Sequence, residues 1–284
     1  FLMSVVSPAD HWMFIASNGG LTAGRRNADM ALFPYYTDDK LIDASAYTGS
    51  RTLLRIQQEN KKLLWEPWSP YYAGIYKISR HLYKNVYGNR LIFEEVNHDL
   101  ELTFRYQWTC SEKYGWVKQS SLLNHKESGR EIEILDGLQQ ILPHGIAAAM
   151  QNGRSNLANA YKKHELDADT GLGIFSLSAM IVDRAEPSEA LKATTVFALG
   201  LEKPRYLLSS TQLDAFRRGE SLRQEEDIRG GKGAYFVNSV FTLTGSEEKK
   251  WRFVAEVNQG PAQVADLKKL LETPDRLSKA VIDD

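Results

Sequence analysis

One cysteine, Cys110, is the whole thiol complement of 284 residues, which excludes an internal disulfide framework and any metal site built from several thiolates. A lone thiol favours a reducing compartment, so a cytoplasmic location is the expectation. The opening Phe1-Leu2-Met3-Ser4 has no charged segment ahead of an apolar stretch, and with the true start of the chain absent, export stays open. No uninterrupted run of about 18 apolar residues occurs, so no membrane-spanning helix is expected. Charge of one sign is lacking too: 35 Lys and Arg stand against 36 Asp and Glu, a formal charge of -1. Neither nucleic acid nor an acidic membrane surface is therefore expected as a partner.

Several chemical signatures are also missing. His11, His81, His98, His125, His144 and His164 are scattered singly, with no HExxH and no pair at i, i+4, so no metal is expected. There is no GxSxG, and Ser155 in Gly153-Arg154-Ser155 lacks the second glycine. Asp167-Ala168-Asp169-Thr170-Gly171 looks like the start of a calcium loop but has Ser178 where the bidentate Glu should stand. Gly230-Gly231-Lys232-Gly233 could cradle an anion; it leads into a strand and lacks P-loop spacing, which favours a strand-entry turn. Cys110 reads as a buried thiol at a strand end rather than a nucleophile.

What is present is a folding chain of ordinary composition, 43% hydrophobic and 25% charged, for which one domain is a fair expectation. Leu100, Leu102, Phe104, Tyr106 and Trp108 alternate with Glu101, Thr103, Arg105 and Gln107, the period-2 pattern of a strand with one buried face. Tyr114 to Asn124 and Arg130 to Asp136, joined by His125-Lys126-Glu127-Ser128-Gly129, read as a hairpin. Other strands are expected over 12–17, 51–57, 75–79, 90–95, 172–182, 193–201, 234–244 and 251–258. Short polar turns between them predict mostly antiparallel sheets. Helices are expected over 146–165, over 211–228 from a Thr cap, and over 261–271, where Pro261 suits the first turn. Thr273-Pro274-Asp275 interrupts that last helix, and Leu277 with Val281 begins another.

Three groups of residues could touch a ligand. Asp38-Asp39, Glu94-Glu95 and Glu225-Glu226-Asp227 supply acids for glycoside chemistry, although adjacent acids usually belong to a solvated surface. Trp65, Trp68, Tyr71 and Tyr72, in a segment held open by prolines, have flat rings suited to stacking on sugars; the competing reading is a plug at the end of a sandwich. Asn18, Arg25 and Arg26 lie in the glycine-rich 17–27 segment, where the arginines could meet phosphate or carboxylate, or form the solvated tip of a hairpin.

Ser17-Asn18-Gly19-Gly20, Phe33-Pro34-Tyr35-Tyr36, Trp68-Ser69-Pro70, Gly88-Asn89-Arg90 and the stretch from Ser120 to Pro143 follow one another as in a known family. In these features the chain resembles the amino-terminal domain of glycoside hydrolase family 94, the cellobiose and chitobiose phosphorylases. The resemblance implies a mainly β fold, a large antiparallel β-supersandwich of the galactose mutarotase kind with a few helices. It implies a sandwich over 1–260 and a helical linker over 261–284 toward an (α/α)6 catalytic barrel that this sequence lacks. In that family the barrel carries the general acid and phosphate attacks the anomeric carbon, so no catalytic residue is transferred here and no cofactor is implied beyond inorganic phosphate as co-substrate of the parent enzyme. Leu21-Thr22-Ala23 and Tyr36-Thr37-Asp38-Asp39-Lys40 depart from the family's longer glycine run and more basic stretch, leaving phosphorylase and hydrolase both open. The implied role is a non-catalytic domain that frames the active site and helps to pair subunits, its partners being carbohydrate, its own barrel and a second copy. The rival readings are a carbohydrate-binding module and a free-standing mutarotase-like epimerase, the latter needing a Glu beside His81, His98 or His144.

Overall fold

The computed structural model describes residues 1–58, 61–72, 74–153, 155–181 and 189–284. The first half runs β1 (Leu2–Val5), β2 (His11–Ala16), β3 (Leu21–Arg25), β4 (Ala31–Phe33), α1 (Asp38–Asp43), β5 (Gly49–Gln58), β6 (Lys61–Trp65), β7 (Ile78–Lys84), β8 (Leu91–Asn97), β9 (Leu102–Ser111), β10 (Gly115–Asn124) and β11 (Arg130–Ile141). The second runs α2 (Ala148–Gly153), α3 (Ser155–Tyr161), β12 (Lys162–Asp167), β13 (Leu172–Leu177), β14 (Ala193–Leu199), β15 (Arg205–Leu207), α4 (Leu213–Arg217), β16 (Asp227–Arg229), β17 (Gly233–Leu243), β18 (Glu248–Gln259), α5 (Pro261–Leu271) and α6 (Pro274–Asp283).

Among the described residues these strands form three sheets, ordered β1-β2-β3-β4, β16-β12-β13-β14-β18-β10-β9-β8-β7 and β15-β17-β11-β5-β6. The expected mainly β, antiparallel architecture with carboxy-terminal helices is what the chain adopts. None of the described helices is long and apolar enough to cross a membrane. Alternation along β9 turns Leu102, Phe104, Tyr106 and Trp108 inward to meet Trp116, Trp251 and Phe253 of the same sheet and Leu54, Ile134, Tyr235 and Val237 of the five-stranded sheet. At the centre of this apolar layer sits a fully buried ion pair, Lys118 Nζ to Asp136 Oδ1 at 2.6 Å, which ties the two sheets together.

Three expectations are corrected. The strands around His125–Gly129 do not form a hairpin: β10 pairs with β9 and β18, whereas β11 pairs with β17 and β5. A five-residue polar loop serves a crossing between sheets as well as a hairpin, and here Lys118 and Ser120 must face Asp136 across the sandwich. The helix expected over 146–165 breaks up into α2 and α3, and its last residues enter β12, where Lys162, His164 and Leu166 alternate inward. The helix expected over 211–228 is only α4, after which Gly219 takes φ +84 and Asp227–Arg229 pairs with β12. Smaller shifts place β7 three residues later than expected, with Ile75 exposed, and end β13 at Leu177; Val182 lies outside the described residues.

Helices α5 and α6 fold back onto the outer face of the nine-stranded sheet. Leu271, Leu277 and Val281 are buried there against Val117, Leu172, Phe197, Leu199 and Val254. Pro261 stands in the first turn of α5, and Gln263 caps it by accepting from the Gly260 N–H at 3.1 Å.

The misread strand β12 makes a pH-dependent contribution. His164 is fully buried, with Nε2 3.1 Å from the Gly231 carbonyl, and burial pushes its pKa from 6.5 down to about 4. The unfolded chain therefore takes up the proton first as pH falls. His164 contributes stability that is complete above pH 6.5 and is lost progressively toward pH 4. Urea denaturation at pH 7 and pH 5 should show a loss of about 2 kcal/mol, most of which a His164→Phe variant should lack. His144, whose pKa burial also lowers, adds a slope of the same sign.

Candidate functional site

The residues singled out from the sequence do not converge. Trp65 is buried, its Nε1 donating to Glu95 Oε1 at 2.8 Å. Trp68 adopts φ +60, donates its backbone N–H to Glu95 Oε2 at 2.8 Å, and packs edge-on against Phe93 at 5.0 Å. Arg80 completes the arrangement, over the Trp68 ring at 5.1 Å and 2.7 Å from Glu95. Tyr71 is exposed and Tyr72 half-buried. One buried carboxylate thus holds the Trp65 ring and the Trp68 backbone, and the two rings are packed rather than laid open side by side.

Asn18 closes the β2–β3 turn, its Oδ1 accepting from Gly20 N–H at 3.1 Å and its Nδ2 donating to the Ile42 carbonyl at 2.9 Å. With Trp68, Arg51, Thr52 and Tyr106 it lines a cleft of about 10 Å³ between the sheets, room for about one water. Arg25 and Arg26 are not at this tip but at the far end of the hairpin, where both bind Asp10, at 2.6 and 2.8 Å. Arg25 also reaches Glu256 at 2.9 Å, so it joins the first sheet to the nine-stranded one. The Arg26 bond first, joined by that of Arg25, holds the Asp10 carboxyl below its usual range against the opposing effect of burial.

The adjacent acids separate by strand alternation. Glu95 points into the core; Glu94 points to the outer face of the nine-stranded sheet, where His81 Nδ1 lies 2.9 Å from its Oε1 and the Tyr83 hydroxyl donates at 3.1 Å. Arg105 pairs with its other oxygen. Burial raises the Glu94 pKa, and the bonds from Arg105, His81 and Tyr83 outweigh that and hold it below the usual carboxylate range. Glu225 is likewise engaged, by the backbone N–H groups of Leu208 and Ser209 at 2.7 and 2.8 Å.

The register of five strands sets His81, Glu94, Arg105, Ser121 and Lys250 in one rung across this face. The adjacent rung is Tyr83, Ile92, Gln107, Gln119 and Arg252. At about 4.8 Å per strand the two rungs extend about 19 Å. Beside them is a cavity of about 220 Å³ lined by Asn89, Arg90, Gln107, Gln119, Arg252 and Asp284, among others. Helix α6 closes one side: Ser278 Oγ accepts from Arg252 at 3.2 Å, and Asp284 accepts from Ser111 at 2.5 Å.

Arg252 is half-buried and donates to Gln119 Oε1 at 2.9 Å, and burial lowers its pKa. Among the described residues no carboxylate pairs with it. Amides and guanidinium groups fixed on rigid strands can read hydroxyl groups by paired hydrogen bonds. No sequence pattern marked this set, because each strand contributes one residue to a rung and Arg252 comes from β18, more than 120 residues after β10.

The remaining motifs are structural. Cys110 is half-buried beside the cavity, and burial pushes its thiol up to about 12, so it is no thiolate nucleophile. Asp167 accepts from Thr170 and binds Lys268 at 2.7 Å. Among the described residues no group of three His, Cys, Asp or Glu side chains is placed to hold a metal ion.

No protein-family model matches the chain, and no curated protein matches it. Among solved structures it is similar to a polysaccharide lyase, at 9% identity and TM-score 0.46, over 92% of this chain and 33% of that one. It is similar to a galactose mutarotase-like protein from Lactobacillus casei ATCC 334, at 9% identity and TM-score 0.45, over 91% of this chain and 100% of that one. It is also similar to the Slr1438 protein from Synechocystis sp. PCC 6803, at 8% identity and TM-score 0.49, over 91% of this chain and 96% of that one. The chain thus spans 33% of the lyase's length and 96% to 100% of the other two.

Proposed function

We propose that this chain is a non-catalytic β-supersandwich domain of a larger carbohydrate-active protein, and that it holds sugar hydroxyls against the two-rung face of its nine-stranded sheet. The observation that carries this is Arg252 with Gln107 and Gln119, planar polar groups lining the 220 Å³ cavity with no carboxylate on the guanidinium. The sequence features shared with disaccharide phosphorylases make a family 94-like enzyme the parent, with residues 1–260 as the sandwich and 261–284 as the step toward its barrel. Tyr71, exposed, and Tyr72, half-buried, serve as a second contact for sugar, and Asn18, Trp65, Trp68, Arg25 and Arg26 support the two surfaces.

The contacts of Glu94 support the non-catalytic reading. Glu94 is ionised, and both its oxygens are occupied by His81, Tyr83 and Arg105, so proton abstraction would first have to break the arginine pair. The mutarotase-like reading is favoured by one observation, the 2.9 Å contact between His81 and Glu94, which places a base and an acid on the sandwich face.

Calorimetric titration with cellobiose tests the binding surface. The chain should bind, and Arg252→Ala and Gln119→Ala should each weaken binding about tenfold, the worth of one charge-assisted hydrogen bond, with circular dichroism unchanged. Equal binding by both variants would remove the proposal.

A further inference from the structure

A second cavity, of about 110 Å³, lies away from the two-rung face and is lined by Tyr36, Gln140, Gln151, Asn159, Lys162 and Lys232, among others. Its volume is several times what one water needs. Lys162 opens β12 and is only 6% exposed, yet among the described residues its ammonium has a single neutral partner, Asn159 Oδ1 at 2.8 Å. Among the described residues no carboxylate pairs with either lysine. Lys232 comes from the Gly230–Gly233 turn and lies 5.3 Å from the centre of the Tyr47 ring.

Two cations sharing one cavity without an anion is costly, since a buried charge is ordinarily paired. Burial first, and then the charge of Lys232, push the Lys162 pKa down to about 8. The polar groups around them are set to donate. Gln140 gives its Nε2–H to the Tyr36 oxygen at 3.0 Å and receives the Thr48 hydroxyl at 2.5 Å. That leaves the Tyr36 hydroxyl hydrogen without an acceptor among the described residues. The two ammonium groups and the Tyr36 hydroxyl thus bring positive charge and a free hydrogen-bond donor to one cavity wall.

We propose that this cavity is an oxyanion site that takes a compact dianion, phosphate or sulfate, free or as the ester of a sugar, between Lys162, Lys232 and the Tyr36 hydroxyl. The glycine-rich turn that brings Lys232 to the cavity is then a ligand-bearing loop as well as a strand entry. The site stands apart from the sugar-binding face, and its test does not depend on that reading.

The experiment is thermal denaturation of the full chain titrated with inorganic phosphate, inorganic sulfate and a hexose phosphate, against sodium chloride of matched ionic strength. The melting temperature should rise and saturate with at least one of the three anions and not with chloride. A response to the hexose phosphate alone would identify the esterified anion; a response to the inorganic ions would identify the free one. Lys162→Met should raise the anion-free melting temperature, because it removes an uncompensated buried charge, and should weaken the anion at least tenfold. Lys232→Gln, an exposed position that tolerates change, should weaken it severalfold and covers the case in which Lys162→Met fails to fold. Responses no larger than with chloride, or an undiminished response in Lys232→Gln, would overturn the proposal.

Discussion

Replacing Asp136 by alanine is expected to destabilise the protein by about 3 to 5 kcal/mol, the cost of breaking a buried ion pair from one side. Asp136 is fully buried and receives five donors: Thr52 at 2.6 Å, Lys118 at 2.6 Å, Ser120 at 2.9 Å, Trp251 Nε1 at 2.6 Å and its neighbour Gly137 N–H at 2.9 Å. Thr52 stands on β5, Asp136 and Gly137 on β11, Lys118 and Ser120 on β10, and Trp251 on β18, so one carboxylate fastens the two sheets. Its removal leaves the Lys118 ammonium between Tyr106 and Phe253 with no counter-charge, and burial already lowers the Lys118 pKa while Asp136 opposes that fall. The double variant Lys118→Met with Asp136→Leu should be less destabilised than the sum of the single changes, because the orphaned charge goes with its partner. Additive single effects in urea denaturation would show that the pair is not coupled.

Removing residues 261–284 is expected to increase self-association over that of the full chain. Those residues bury Leu271, Leu277 and Val281 over Val117, Leu172, Phe197, Leu199 and Val254, and uncovering such a patch exposes a contiguous apolar surface on a sheet face. Size-exclusion chromatography with light scattering should show dimers or larger species for the truncated chain, with increased binding of a hydrophobic dye. Leu277→Asp in the full chain should have the same effect through one buried carboxylate and cost about 3 kcal/mol. A truncated chain that stays monomeric would mean that the helices merely rest on the sheet.

The sheets were legible where burial follows a strict period. Leu102, Phe104, Tyr106 and Trp108 are all buried at every second position, and β9 overlaps that pattern, starting at Leu102 and running on to Ser111, although Thr103 is buried as well. The pattern is weaker where buried polar residues interrupt it: Lys118 and Ser120 face inward between Trp116 and Leu122, and Asp136 between Ile134 and Leu138, and alternation by itself does not disclose which sheet a strand joins. β12 hides in the same way, with Lys162 and His164 buried beside Leu166.

The candidate site was less legible still. Glu94 and Glu95 resemble any exposed acidic pair, yet both are buried, on opposite faces of one strand. Trp65 and Arg25 have the residue types of a binding site and act as internal fasteners. Gln107, Gln119 and Arg252 carry no motif at all; only the pairing of β9, β10 and β18 makes them neighbours.

One nuclear magnetic resonance titration with cellobiose reads both halves of the functional proposal, through the side-chain amide signals of Gln107 and Gln119 and the exchange between the α and β anomers of the sugar. The expected result is saturable shifts of those amides with anomer exchange no faster than in buffer. Amides that do not move, or anomer exchange that the chain accelerates and His81→Ala abolishes, would contradict it and make the His81–Glu94 pair an epimerase centre.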